Sequence, residues 1–226
     1  MEGVRHARRR AGGYLIRTGL HSLARLGALH PRAQKALKSI DILRDIPYRG
    51  GGDPAHRLDV YRPRGPSKEL RPAVLYVHGG AFRICSKETH WAMALSFARR
   101  GYVVFNIDYR LAPKHRYPAA IEDVCAAALF VGGAAERYGA DPSRLVFAGE
   151  SAGGNLVTSL ALATSYQRSE PWARELFGAG VRPKAVVAAC ALLQVSDPDR
   201  FARRDRSLPP WLHDRLIETS YGYLGA

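Results

Sequence analysis

The stretch LVFAGESAGGN, Leu145–Asn155, decides the fold of this chain. Its apolar start has the composition of a buried strand, and the apolar run stops at Gly149. A pattern of small residues with helical spacing begins directly after Ser151. The stretch therefore predicts a strand, a sharp turn and a helix, with Ser151 at the apex of the turn.

The spacing Gly149-Glu150-Ser151-Ala152-Gly153 satisfies the steric requirements of a tight turn. A serine at the apex of so tight a turn has a strained backbone, and the residues two positions away must lack bulk so that strand and helix can approach. Such a turn places the serine hydroxyl and the N–H of Ala152 at a helix N-terminus, which favours a developing oxyanion. The same spacing also occurs in glycine-rich turns with an incidental serine. Taken alone, the motif leaves both interpretations open.

Segments of strand type and of helix type alternate along the chain around this turn. The strand-type runs are Ala73–Val77, Tyr102–Ile107, Leu145–Ala148 and Ala185–Val195, and the helical patterns are His90–Arg100, Pro118–Val131 and Ala152–Thr164. Strands that are apolar throughout and separated by helices predict an α/β fold, a mostly parallel sheet with helices on both faces. Upstream, RLDVYRP at Arg57–Pro63 alternates in the manner of an edge strand. Ligands of parallel sheets bind at the carboxyl ends of the strands, where Ser151 lies.

A second chemical element follows another predicted strand. His78-Gly79-Gly80-Ala81-Phe82 comes directly after Ala73–Val77. Its small residues let the backbone fold tightly and turn N–H groups into a cavity that an anion would occupy. A plain glycine turn between a strand and a helix is the alternative, and the pairing with a serine turn after a later strand favours the oxyanion site.

Four motifs together resemble a known family. They are HGGAF at 78–82, DYRLAP at Asp108–Pro113, YPAAIEDV at Tyr117–Val124 and ADPSRLVFAGESAGGN at Ala140–Asn155. In this order and spacing, the chain from about Leu58 to Leu162 is similar to α/β-hydrolases of the hormone-sensitive-lipase-like esterase group. The combination is far more specific than any one of the motifs.

The resemblance implies a serine carboxylesterase that acts on short or medium acyl esters through an acyl-enzyme. It implies Ser151 as the nucleophile, the loop residues Gly79, Gly80 and Ala81 together with Ala152 as the oxyanion hole, and His78 as a brace for the loop. Ala81 replaces the usual third glycine and still has a backbone donor. The expected partner is a small-molecule ester, and no cofactor or metal is expected.

Charged side chains near this predicted site invite a catalytic interpretation. For Asp108 and Arg110 we favour a structural role, because a buried Arg–Asp pair in such folds more often fixes a loop. For Glu150 we expect a side chain that points away from the Ser151 hydroxyl and braces a loop.

Serine catalysis also needs a base and a carboxylate, which in this family follow the serine in the order acid, then histidine. The only histidine after Ser151 is His213, in a segment with the pattern of a helix rather than of a loop after a strand. We therefore expect the acid and base beyond Ala226, in a chain truncated at its C-terminal side, with an apolar sheet edge left exposed. If Ala226 is the natural end, the alternative is a non-catalytic ligand-binding protein of the same fold.

Composition limits the remaining possibilities. A chain of 226 residues with 46% hydrophobic content can bury one substantial core. We interpret the three cysteines, Cys85, Cys125 and Cys190, as reduced core residues of a cytoplasmic protein, and a disulfide or zinc framework is not expected. No apolar stretch approaches the ~20 residues that span a bilayer.

The formal charge of +14 is concentrated at the N-terminus, where nine arginines and lysines precede Ile40 against one acidic residue, Glu2. We therefore expect no nucleic acid partner, and we divide the chain into a basic amphipathic helical segment, 1–45, and a partial hydrolase core, 46–226, with cap helices in 196–226. The basic segment either lies on an anionic membrane or packs over the domain with its arginines in water. We favour packing because Gly12, Gly13, Gly19 and Gly27 weaken an isolated helix.

Overall fold

The computed structural model describes residues 18–200, residue 203 and residues 209–225. Six strands form one sheet: β1 Ile40–Pro47, β2 Arg57–Pro63, β3 Arg71–Val77, β4 Val103–Ile107, β5 Ala140–Glu150 and β6 Ala185–Ala189. The helices are α1 (18–29), α2 Pro31–Leu37, α3 Trp91–Ala98, α4 Ala119–Ala134, α5 Ala152–Ser165, α6 Pro171–Gly178 and α7 Pro210–Leu224. A short 3-10 helix, Ala135–Tyr138, follows α4.

The strand order across the sheet is β1-β2-β4-β3-β5-β6. The first three strands in this order pair antiparallel, whereas β4, β3, β5 and β6 are all parallel. A crossover containing a helix joins each consecutive pair of these parallel strands, as parallel pairing requires. The predicted α/β fold with a mostly parallel sheet is therefore confirmed.

Two predictions about the N-terminal part of the sheet are wrong. Arg57–Pro63 forms a strand, but it lies between β1 and β4 rather than at the edge, and Leu58, Asp59 and Val60 on it are fully buried. The edge strand is β1, which begins at Ile40, inside the segment 1–45 that was predicted to be helical. Ile40 pairs with Pro63 and is buried, so sheet pairing overrides the helical pattern there.

The C-terminal strands differ from expectation in length and exposure. β5 runs from Ala140 rather than Leu145, because Asp141 already pairs with Pro72 before residues 142–144 bulge out of register. β6 ends at Ala189 rather than Val195, and all five of its residues are exposed. β6 is the last strand of the sheet and pairs with β5 on one side only, so it is exposed despite its apolar composition.

Apolar side chains pack on both faces of the sheet. One cluster lies between the sheet and α4, α5 and α6, and it includes Phe105, Phe147 and Leu156. The other lies between the sheet and α3, and it includes Tyr76 and Leu95. All three cysteines are free, but their expected common burial is wrong. Cys125 is buried, Cys85 is half-buried, and Cys190 is exposed in the turn after β6.

A buried carboxylate fixes the loops at the carboxyl ends of the strands. Asp123 on α4 has a fully buried side chain that accepts hydrogen bonds from Arg110 Nε at 2.8 Å and from the Arg110 backbone N–H at 2.9 Å. It also accepts from His56 Nε2 at 2.9 Å and from Arg49 at 3.1 Å. The hydrogen bond to Asp123 raises the pKa of Arg110 above its ordinary value. Arg110 thus fixes a loop as expected, although its partner is Asp123 and not Asp108.

Replacing this carboxylate should destabilise the fold strongly. In Asp123→Asn, the side chain no longer supplies the negative charge that three basic groups share, so the free energy of unfolding should fall by about 3 kcal/mol. The neighbouring Glu122→Gln is the matched control. Glu122 also pairs with Arg110, but it is partly exposed, and Asp123 remains in this variant. The free energy of unfolding of Glu122→Gln should therefore fall by less than about 1 kcal/mol. Urea unfolding followed by circular dichroism measures both, and equal losses would contradict this account.

Candidate active site

The turn between β5 and α5 holds Ser151 in a strained conformation. Its φ is 53° and its ψ is −114°, a combination that side-chain-bearing residues rarely adopt. The Ser151 N–H donates to the Ala189 carbonyl oxygen at 2.8 Å, and the Ser151 carbonyl oxygen accepts from the Asn155 N–H at 3.1 Å. The predicted strand, sharp turn and helix are thereby confirmed.

Glycine is needed on both sides of Ser151 because backbones approach each other closely. An ideal Cβ on Gly149 would lie 2.5 Å from the carbonyl group of Gly153. An ideal Cβ on Gly153 would lie 2.1 Å from the Val77 carbonyl oxygen, at the end of β3. Real Cβ atoms do not come so close to backbone atoms, so each glycine allows a strand and a helix to meet.

The glycine loop after β3 lies directly against this turn. An ideal Cβ on Gly79 would be 2.8 Å from the Glu150 carbonyl oxygen and 3.4 Å from the Ser151 Cβ. Gly80 has a φ of 113°, which favours glycine, and a Cβ there would be 2.2 Å from the Ile84 carbonyl oxygen. The two motifs that were predicted to act together are therefore neighbours in space.

The backbone donors around Ser151 are available to a ligand. Among the residues that the structure describes, no acceptor takes the N–H of Gly80, Ala81 or Ala152. Ala81 has a φ of 54°, so the residue in place of the usual third glycine adopts a left-handed conformation. Ala152 begins α5, where the unpaired N–H groups of the first turn carry partial positive charge.

His78 is buried inside the glycine loop rather than presented to a substrate. Its Nδ1–H donates to the Gly79 carbonyl oxygen at 2.7 Å, and its ring stacks on Tyr109 with centroids 4.3 Å apart. The Tyr109 hydroxyl donates to the His78 carbonyl oxygen at 3.0 Å. Burial lowers the pKa of His78 to about 3, so the ring is neutral near pH 7. These contacts hold the His78 ring inside the loop.

A lysine cluster that the sequence analysis did not identify anchors the far end of this loop. Lys87 is buried, and its Nζ contacts Asp59 at 2.9 Å, Asp45 at 2.9 Å and Glu88 at 2.6 Å. Its backbone N–H donates to Asp108 Oδ1 at 2.7 Å. The acidic partners of Lys87 come from three separate segments of the chain, so no local pattern in the sequence signals the cluster.

Asp108 and Glu150, the two acidic residues considered in the sequence analysis, have different surroundings. Burial raises the pKa of Asp108 to about 7, and one of its oxygens lies 3.8 Å from His78 Nε2. The negative charge of Glu150 acts on the half-buried His90 and on Tyr76, on the α3 side of the sheet. Within residues 18–200 the Glu150 side chain makes no hydrogen bond, so the bracing hydrogen bond expected for it does not form there.

The C-terminal end of α7 covers part of the glycine loop. The Tyr223 ring stacks on the Phe82 ring with centroids 3.9 Å apart, and both rings are buried. The Tyr223 carbonyl oxygen accepts from the Tyr117 N–H at 2.8 Å. A helix predicted to act as a cap therefore contacts the loop through an aromatic pair that sequence spacing alone did not single out.

His213 lies elsewhere on the same helix. It precedes Tyr223 by ten residues, which corresponds to about 15 Å along a helix. Its Nε2 faces Asp199 Oδ1 at 3.0 Å, and no hydrogen bond joins it to Ser151 in the described part of the chain. A triad histidine would instead present one ring nitrogen to the serine.

Two kinds of feature are absent from residues 18–200, 203 and 209–225. None of the helices there combines the length and the apolar character needed to cross a bilayer. Nor does any group of three histidine, cysteine or acidic side chains there form a candidate metal site.

Comparison with known proteins identifies the class to which this geometry belongs. The site consists of a serine on a strained turn beside a glycine loop, at the carboxyl ends of parallel strands. The sequence of residues 74–220 matches the family model of the alpha/beta hydrolase fold. The chain belongs to the alpha/beta hydrolase family. The relatives described below, to which the chain is similar, are named as esterases or as a deacetylase-like protein, in agreement with the resemblance of the four motifs.

Three relatives show how far the likeness extends. The carboxylesterase NlhH of Mycobacterium tuberculosis is 40% identical over 131 residues, which cover 58% of this chain and 38% of that protein. Human arylacetamide deacetylase-like 2 is 40% identical over 109 residues, 45% of this chain and 26% of that protein. The hyperthermophilic esterase of the archaeon Pyrobaculum calidifontis has a TM-score of 0.70 at 28% identity, covering 95% of this chain and 64% of that structure. The chain thus spans well under half the length of both curated relatives.

The close approach at Gly153 can be tested with two helical glycines. Gly153→Ala would place a methyl group on the Val77 carbonyl oxygen and should lower the free energy of unfolding by about 3 kcal/mol or more. Gly133→Ala, on the exposed side of α4 where a Cβ meets no atom within 4 Å, should raise it by about 0.5–1 kcal/mol. Thermal and urea unfolding measure both variants. A Gly153→Ala variant as stable as wild type would refute the predicted contact.

Proposed function

We propose that this chain carries the nucleophile and the oxyanion hole of a serine hydrolase that cleaves carboxylic esters. The observation that supports this most is the juxtaposition of the strained Ser151 turn and the glycine loop, where a Gly79 Cβ would lie 3.4 Å from the Ser151 Cβ. Strain in such a backbone is retained where it serves a function. The names of the relatives, carboxylesterase and esterase, support an ester as the substrate class.

In the proposed reaction the Ser151 oxygen attacks the ester carbonyl carbon while a base takes the hydroxyl proton. The carbonyl oxygen becomes an oxyanion that accepts hydrogen bonds from the N–H groups of Gly80, Ala81 and Ala152. The intermediate collapses, the C–O bond to the alcohol breaks, and the alcohol leaves with the proton. Water then attacks the acyl group on Ser151 and releases the acid. We assign the base and its carboxylate to none of the described residues.

The remaining loop residues would act by holding these donors in place. The neutral His78 ring holds the Gly79 carbonyl oxygen, which keeps Gly79 against the turn and directs the following N–H groups toward Ser151. Lys87 and Asp108 anchor the other end of the loop. The stacked and buried Phe82 and Tyr223 rings hold the loop against the end of α7. We propose short or medium acyl chains for the substrate from the resemblance of the motifs alone.

A second candidate function is a ligand-binding protein of the same fold that lacks turnover. The observation that favours it is the orientation of His213 toward Asp199 rather than toward Ser151. A serine without its base retains only the part of catalysis that the oxyanion hole supplies. Such a protein would bind a small ester or acid beside Ser151 and release it unchanged.

Labelling with a fluorophosphonate probe tests the assignment of the nucleophile. Wild-type protein, prepared in the length that its native host makes, should form a covalent adduct whose mass maps to Ser151, because the probe phosphorylates activated serines. Ser151→Ala should lose the adduct. Ser165→Ala, which removes an exposed serine at the far end of α5, should keep it. Undiminished labelling of Ser151→Ala would show that the nucleophile is a different residue.

Hydrolysis of p-nitrophenyl esters separates the two candidate functions. A hydrolase should turn over acetate to octanoate esters, and Ser151→Ala should lower kcat/KM by about a thousandfold or more. Saturable ester binding with no turnover by wild-type protein would instead establish the binding function.

A further inference from the structure

Helix α1 packs on the domain through its small residues. The Trp91 indole N–H donates to the Ala24 carbonyl oxygen at 3.0 Å, and an ideal Cβ on Gly27 would lie 3.7 Å from the same indole ring. Gln34 on α2 donates to the Ala28 carbonyl oxygen at 2.6 Å, which joins the two N-terminal helices. The orientation of α1 is therefore fixed by Trp91 and by α2, with Ala24, Gly27 and Ala28 on the inner side.

The large apolar residues of α1 point the other way. Leu23, Leu26 and Leu29 are 66%, 64% and 69% exposed, and their spacing of three residues places them along one outer face. We call these three residues the leucine stripe. A single exposed leucine is ordinary, but a helix that turns its small residues inward and a row of leucines outward has an apolar face in excess of what its own domain uses.

The charged side chains of the two N-terminal helices are all cationic. Residues 18–40 contain four cations and no acidic residue, and all four are exposed: Arg25, Arg32, Lys35 and Lys38. Arg25 lies beside the stripe on α1, and the other three lie on or next to α2. The sequence before residue 18 adds five arginines against one glutamate.

We propose that the leucine stripe and its four flanking cations dock on the surface of an anionic lipid bilayer. The leucines would enter the boundary between headgroups and acyl chains, while the cations contact anionic headgroups. A second copy of the chain is a poor occupant, because a symmetric contact through the stripes would bring the two sets of cations together. This inference does not depend on the proposed esterase activity.

Vesicle flotation with the full chain tests the proposal, since aggregated protein sinks while vesicles rise. Wild-type protein should float with vesicles of phosphatidylcholine containing about one third phosphatidylglycerol, and should float at least about tenfold less with phosphatidylcholine alone. Raising NaCl to about 0.5 M should release most of the bound protein.

Two sets of variants assign the binding to this surface. Combined Leu23→Ser, Leu26→Ser and Leu29→Ser should weaken binding at least about tenfold, whereas Leu162→Ser, which changes a leucine on α5 that is 52% exposed, should leave it unchanged. Arg25→Gln with Arg32→Gln should weaken it by about fivefold per charge, and exposed Lys68→Gln with Arg174→Gln should have little effect.

Three results would overturn the proposal. One is a triple leucine variant that floats as well as wild type, which would place binding elsewhere on the chain. Another is equal flotation with neutral and anionic vesicles. The third is a triple variant that unfolds at a lower temperature or loses a dimer seen by sedimentation, because the leucines would then be covered by protein rather than by lipid.

Discussion

The close approach of Gly153 to the Val77 carbonyl oxygen is the contact on which the rest of the structure depends. It brings the first turn of α5 against the end of β3, so the chain that leaves β3 must pass beside the Ser151 turn. Gly79 then meets the backbone of Glu150 and lies beside the Ser151 side chain. Because the contact is between backbone atoms, it requires glycine and is indifferent to the side chains of the surrounding core.

Buried charge holds this backbone arrangement in place. Asp123 gathers Arg110, His56 and Arg49, which fixes the loops after β1 and β4, and Lys87 gathers Asp45 and Asp59 at the far end of the glycine loop. Burial removes much of the hydration of these charged groups. Hydrogen bonds to their partners offset this free-energy cost only when the loops stay in position. Arg110, whose position near the site invited a catalytic interpretation, is thus committed to structure.

The sequence predicted those parts of the fold that local pattern determines. The apolar runs of β3, β4 and β5 and the Gly149–Gly153 spacing each specify a strand or a turn without reference to distant residues. By contrast, the central place of β2, the exposure of β6 and the choice of Asp123 as the partner of Arg110 depend on pairing between distant segments. The segment 1–45 was predicted to be amphipathic and helical, but only the contact with Trp91 determined which side of α1 faces inward.

We propose that Ser151 and the backbone donors around it form one oxyanion site. A crystal structure of the protein after reaction with a phosphonate ester is the sharpest test of this site. We expect phosphorus bonded to Ser151 Oγ, with the phosphoryl oxygen about 3 Å from the N–H groups of Gly80, Ala81 and Ala152. Phosphorus on another residue, or a phosphoryl oxygen directed away from the glycine loop, would show that these groups do not form an oxyanion site.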